Sequence, residues 1–271
     1  MATEDDRLAR DLAVEAGRRL VSLRRHGGDP DDLRKAGDRL SHEFLSAELA
    51  RLRPGDRVLS EEGADDPARR TAGRVWIVDP LDGTREFGDV GRTDWAVHVA
   101  LWERAAPDQA GGPDVPGNLT AGAVALPAQD DVLSTVAPPR APGHPPGGRL
   151  RVVVSRTRPA PFLPRMAELL GADLVPLGSA GAKGAAVLQG QADAYVHAGG
   201  QYEWDSAAPV AVAWAGGFHA SRIDGRELSY NQADLLMPDI LVCPPALAGP
   251  LLDAIRSAQS GAEGETGGGQ R

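Results

Sequence analysis

The chain has 271 residues, is 42% hydrophobic and 25% charged, and carries a formal net charge of −9. That length accommodates one large domain or two smaller ones sharing a core, in a composition ordinary for a globular protein. The negative balance argues against nucleic-acid binding, which wants a basic surface, but not against a small anion met by local cations or a metal.

The opening "MATEDDRLAR" is acidic and lacks an apolar h-region, so no secretory signal is expected there. No apolar run approaches the roughly 20 residues of a membrane span, and a soluble cytoplasmic protein is expected. Leu8, Leu12, Ala16, Leu20 and Leu23 recur at helical spacing and predict a helix over Asp6–Arg25. "HGGDPDD" reads as a turn, and Leu40, Phe44, Leu45, Leu49 and Leu52 predict a second amphipathic helix over Arg39–Arg53. Val58–Ser60 is a short strand that stops at Glu61 and Glu62. Val75–Val78 is a buried strand that ends abruptly at Asp79. Trp95–Trp102 is apolar on both faces and reads as a central strand, with His98 a satisfied core histidine.

A Pro/Gly-rich connection over 106–118 leads to a hairpin of Leu119–Leu126 and Asp131–Val136 around "PAQDD". "APPRAPGHPPGG", 137–148, is the strongest linker signal and predicts a subdomain boundary. Strands and helices alternate after it: "RVVVS", Ala160–Leu170, "DLVPLG", Ala182–Gln189, "ADAYVHA", Ser206–Ala215, "DILVC" and Pro244–Ser257. Cys243, the single cysteine, excludes an internal disulfide and reads as a small buried hydrophobe. The expectation is an α/β (α+β) layered sandwich, with mixed sheets covered by helices. Its parts are an N-terminal subdomain over 1–148, a C-terminal subdomain over 149–258, and a disordered Gly-rich tail over 259–271.

The chemistry concentrates in "VWIVDPLDGTREF", Val75–Phe87. Carboxylates at the C-terminal end of a buried strand lie where α/β sheets place their sites. Pro80 forces a turn that brings Asp82 back beside Asp79, and Gly83 permits a left-handed backbone. Two close carboxylates repel unless a cation joins them, and oxygen-only ligands suit Mg²⁺. Backbone N–H groups at Gly83 and Thr84 would cradle a phosphate. A solvated turn with an Asx cap is the competing structural reading. The spacing D-x-x-D-G-T differs from the D-x-D-G-T of haloacid-dehalogenase phosphatases, which favours metal ligation over an aspartyl-phosphate. No histidine has metal-site spacing to a second one, so zinc is not expected.

"WIVDPLDGTREF" resembles the signature of the inositol monophosphatase superfamily, the lithium-sensitive, Mg²⁺-dependent phosphatases. "LSEE" upstream and "EWDSAAPVAVAWAGG" downstream match further family motifs in order, so the likeness spans about Asp6 to Ser257. "DPLDGTREF" is closest to the 3′(2′),5′-bisphosphate nucleotidase branch (CysQ type). The resemblance implies Glu61, Asp79, Asp82 and Asp205 as metal ligands with the carbonyl of Leu81, for two or three Mg²⁺ ions. It implies that Asp38, here in "KAGDRL" rather than a Thr-containing context, activates water together with Thr84.

For the substrate, Gly83, Thr84 and Asp205 would meet the scissile phosphate. Ser155 and Arg156 of "VVVSRTRP" would bind a second phosphate, Arg by bidentate contacts. Lys183, near a helix N-terminus, opposes the macrodipole unless an anion lies nearby. Gly178 and Ser179 would pack on sugar or base, and Glu203 would touch ribose or support the metal ligands.

The expected reaction is hydrolysis of the 3′-phosphate of 3′-phosphoadenosine 5′-phosphate to AMP. Phosphoadenosine phosphosulfate is a second candidate substrate, which would place the enzyme in sulfur assimilation. Alternatives are an inositol 1-phosphate or fructose 1,6-bisphosphate phosphatase, or a non-catalytic nucleotide-binding module. A monomer or homodimer inhibited by Li⁺ is expected, with neither nucleic acid nor membrane as partner.

Overall fold

The computed structural model describes residues 1–105, 117–142 and 148–266. Most of the connection expected at 106–118, residues 143–147 of the linker and residues 267–271 of the tail lie outside the described residues.

Helix α1, Glu4–Arg25, begins with a reciprocal cap in which Thr3 Oγ1 accepts from the Asp6 N–H and the Asp6 carboxylate accepts from the Thr3 N–H. Helix α2, Pro30–Leu52, starts nine residues ahead of the expected Arg39. "DPDD" is not a turn but a helix start. Asp29 is the N-cap, accepting from the N–H groups of Asp31 and Asp32, and Pro30 takes the first position, where its missing N–H costs nothing.

Strands β1 (Arg57–Ser60), β2 (Arg74–Asp82), β3 (Ala96–Arg104), β4 (Gly117–Leu126) and β5 (Asp131–Ser134) form one sheet in chain order. Only the β1–β2 pair is parallel. The second sheet has the order β7-β6-β8-β10-β9, from β6 (Arg151–Ser155), β7 (Asp173–Leu177), β8 (Ala194–Tyr202), β9 (His219–Ser221) and β10 (Leu236–Cys243). There β7, β6 and β8 run parallel, whereas β10 is antiparallel to β8 and β9.

Three apolar layers hold the sheets. Trp76, Val78, Val97 and Val99 face Leu12, Ala16, Leu45 and Leu49 of α1 and α2. On the opposite face, Val75, Ile77, Ala100 and Val124 pack on α5 (Ala180–Leu188) and α6 (Glu203–Gly216), which also cover Tyr195, Ile240 and Val242 of the second sheet. Beyond it, Val152, Val154, Val196, Leu241 and Cys243 meet α4 (Leu163–Leu170) and α7 (Pro245–Thr266). The result is a sandwich in the order helices, sheet, helices, sheet, helices. Both sheets are buried on both faces, so their strands are nearly continuous in apolar residues.

Two details bear on function. All strands of the first sheet precede residue 148 and all strands of the second follow it, yet α6 packs on both sheets. The last helix, expected to stop at Ser257, continues to Thr266, so residues 259–266 are helical rather than a disordered tail.

Candidate active site

β2 carries the central motif. In a regular strand, residues three apart point to opposite faces. The β2–β3 register breaks between Asp79 and Asp82, opposite His98 and Ala96, and this irregularity turns both carboxylates the same way. Gly83 follows with φ +86, a backbone that side-chain-bearing residues rarely adopt, and starts the short helix α3, Thr84–Gly88.

A third carboxylate comes from 123 residues further along the chain, at the start of α6. Ligand oxygens of Asp79, Asp82 and Asp205 lie within 4.8 Å of one another. Glu61 reaches the cluster from the end of β1, where its N–H lies 3.4 Å from the carbonyl of Val78, and its carboxyl hydrogen-bonds to Asp79. The charge of Glu62 bears on both Asp38 and Glu61, and of the pair it is Glu61 that hydrogen-bonds to Asp79.

The electrostatics record unrelieved repulsion. Burial raises Asp79 well above the ordinary carboxylate range, and the charges of Glu61, Asp82 and Asp205 add to it. Desolvation, with repulsion from Asp205, Asp82 and Glu62, raises Glu61 to about 7, although the residue is exposed at the rim. Asp205 is raised to about 6 by burial and the charge of Asp82. A cation would remove this conflict, and a donor set of carboxylate oxygens suits a hard divalent ion.

Asp38 lies within α2, not in a loop. Gly37 lets the helix approach the motif, since a Cβ there would lie 2.7 Å from Phe87 and 2.9 Å from Leu81. Thr84 Oγ1 consequently sits 3.2 Å from Asp38 Oδ1 and 3.0 Å from the Leu81 carbonyl. Burial and the charge of Glu62 raise Asp38 to about 6, against the Thr84 hydrogen bond.

The N-terminus of α5 forms the facing wall. Asp82 accepts from Ser179 Oγ at 2.5 Å, from the Ala180 N–H at 3.1 Å and from the Gly181 N–H at 2.5 Å. The positive helix end therefore stabilises one of the crowded carboxylates. His98 is a buried core histidine that also borders the site: its Nδ1 lies 3.1 Å from the Trp204 carbonyl of α6, and its Nε2 lies 3.3 Å from Asp82 without a hydrogen bond to it.

Four expected substrate contacts have other partners. Arg156 is ion-paired with buried Glu86 of "TREF". Ser155 Oγ accepts from the Arg158 N–H and closes the turn after β6. Lys183 is buried and donates to the carbonyls of Gly178 and Ser179 at 2.6 and 2.8 Å. Burial pulls the Lys183 ammonium below its ordinary range, against the opposing charges of Asp82, Asp205, Glu86 and Asp94. Glu203 spends both oxygens on the N–H groups of Asn231 and Gln232, at 2.6 and 2.7 Å.

Gly178 donates to Asp94, which Arg92 also holds, so the loop before α5 is fixed from the first sheet. Glu86 and Asp94 escaped the sequence reading, and His98 was read there as core alone, because each acts through a partner far along the chain. Arg158 has the converse character. It is exposed, it has no ion-pair partner among the described residues, and its charge reaches Asp205 and His197.

Comparison with known proteins agrees with this architecture. The inositol monophosphatase family matches residues 6–260. The 3′-phosphoadenosine 5′-phosphate phosphatase of Mycobacterium leprae is 50% identical over 257 residues, covering 93% of each chain. The 3′(2′),5′-bisphosphate nucleotidase CysQ of Salmonella typhimurium is 32% identical over 210 residues, covering 72% of this chain and 78% of its own. Among solved structures, CysQ of Bacteroides thetaiotaomicron superimposes with a TM-score of 0.73 at 26% identity, covering 89% of this chain and 97% of that one.

Proposed function

The chain belongs to the inositol monophosphatase family, and on that premise we propose that it hydrolyses the 3′-phosphate of 3′-phosphoadenosine 5′-phosphate, giving AMP and phosphate. The observation that carries the chemistry is the Asp79–Asp82–Asp205 cluster lying beside the Thr84–Asp38 pair. The substrate follows from the 50% identical M. leprae relative of that name. Phosphoadenosine phosphosulfate, with the same 3′-phosphate, is a second substrate.

Asp79, Asp82, Asp205, Glu61 and the Leu81 carbonyl would hold Mg²⁺, which would supply charge neutralisation at the phosphate and acidity to water. The chain's own groups do the rest. Thr84 Oγ1 has one hydrogen to share between Asp38 and the Leu81 carbonyl, and its oxygen lone pair accepts from the attacking water. Asp38 takes the water's second proton, a task suited to a carboxylate raised toward neutrality. Positioning and charge neutralisation carry most of phosphoryl transfer, so no covalent nucleophile is required.

The 5′-phosphate needs a cation of its own on a chain of net charge −9. Arg156 and Lys183 are committed elsewhere, and Arg158 takes that role, on the turn after β6, from which its charge reaches Asp205.

The test is phosphate release from 3′-phosphoadenosine 5′-phosphate, inositol 1-phosphate and fructose 1,6-bisphosphate by one preparation with Mg²⁺. At least a tenfold preference in kcat/KM for the nucleotide is expected. Preference for inositol or sugar phosphate would keep the acidic site and overturn the nucleotide assignment.

A further inference from the structure

Arg69 is fully buried, in a 3-10 turn over Pro67–Thr71 that follows Glu61 by a few residues. A guanidinium out of water is costly unless its donors are met. Here Nε and Nη2 donate to Asp65 at 2.6 and 3.2 Å, Nη1 to Asn231 Oδ1 at 2.7 Å, and Nη2 to the Gln232 carbonyl at 2.8 Å. Asn231 Nδ2 returns a bond to the Arg69 carbonyl at 3.2 Å, across 162 residues of sequence. Asn231 holds φ +61, and this backbone aims its N–H and that of Gln232 at the two oxygens of Glu203. Glu203 is the first residue of α6 and stands two before Asp205.

We propose that Arg69, Asn231 and Glu203 form a latch that sets the spacing between the two arms of the acidic cluster. One arm, Glu61 with Asp79 and Asp82, belongs to the first sheet and the loop after β1. The other, Asp205, hangs on α6 and comes from the second half of the chain. The latch joins the loop that follows Glu61 to the residue that starts the helix of Asp205. These are positioning residues, and this inference rests on the reading of the cluster as a metal site.

The test is Mn²⁺ binding to the full-length, metal-stripped protein, followed by electron paramagnetic resonance, with thermal unfolding measured alongside. Asn231→Gly keeps the left-handed backbone and the N–H to Glu203, and removes only the side-chain bonds to Arg69. Arg69→Met removes the guanidinium. Both should weaken Mn²⁺ binding about tenfold or more, as losses of supporting partners around metal ligands do. Turnover of Asn231→Gly at saturating Mg²⁺ should stay within about threefold of wild type, because no reacting group is touched.

If Arg69→Met does not fold, Asn231→Gly decides the matter. A lowered unfolding temperature with unchanged Mn²⁺ affinity would overturn the latch and leave a purely stabilising network. A wild-type chain that binds no Mn²⁺ would overturn the metal reading and the latch with it.

Discussion

The segment Asp79–Thr84 and the segments of the second half that face it were built by different means. In the first, the spacing is local: two aspartates, a carbonyl, a glycine and a threonine within six residues supply the centre of the site, helped by one break in strand register. In the second, Arg156 pairs with Glu86, Gly178 bonds Asp94, and Glu203 holds Asn231, each across 28 to 84 residues of chain. Local spacing is enough to encode where charge gathers. Contacts that depend on which distant residue arrives are set by packing, so residue type alone does not reveal them.

The sharpest way to break this comparison is to remove a carboxylate from each arm. Asp79→Asn and Asp205→Asn should each lower kcat/KM by about 10³-fold or more, on the order of 4 kcal/mol of transition-state stabilisation. Loss with Asp79→Asn alone would mean that the second half supplies no ligand.

Next in size is Asp38→Asn, which should cost about 10²–10³-fold in kcat while leaving Mn²⁺ binding intact, as expected for a proton acceptor. Wild-type activity should rise with pH through a limb at or below about 6, since Asp38 must be ionised to accept the proton. The variant should lack that limb, and a pH–rate profile checks it.

Smaller effects separate the two arginines. Arg158→Ala should lower kcat/KM for 3′-phosphoadenosine 5′-phosphate by about 10–100-fold and leave 3′-AMP nearly untouched, in line with one charge-assisted contact. Arg156→Ala should instead lower stability and affect both substrates alike, because it leaves Glu86 buried without its partner. Kinetics on the two nucleotides, with unfolding curves, distinguish these outcomes.

The smallest effect is on stability. Burial and neighbouring charge raise Glu61 to about 7 and Asp205 to about 6, above the ordinary carboxylate range. The folded chain therefore binds protons more tightly than the unfolded one, so this contribution is present below the unfolded values and is lost as pH rises through the folded ones. Metal-free protein should lose melting temperature between about pH 4 and pH 7 from this source. Mg²⁺ should restore more at pH 8 than at pH 5, and melting curves with and without EDTA read the difference.

How much was legible follows from the same contrast. Alternating apolar residues revealed most strands, and the order of "LSEE", "DPLDGT" and "EWDS" indicated the acidic cluster. The early start of α2 was missed because Asp-Pro serves both turns and helix starts, and only the Asp29 side-chain bonds distinguish them. His98 looked like core because its strand is apolar on both sides, and only the register opposite Asp79 brings it to the site. Lys183 was read from its helix position alone, which says nothing of the two carbonyls its ammonium meets.

The most direct measurement is phosphate release from 3′-phosphoadenosine 5′-phosphate by purified protein stripped with EDTA and then titrated with Mg²⁺. The account predicts no turnover without the metal and full recovery on its return. Release that EDTA does not diminish would contradict the assignment of Asp79, Asp82 and Asp205 as the centre of the chemistry.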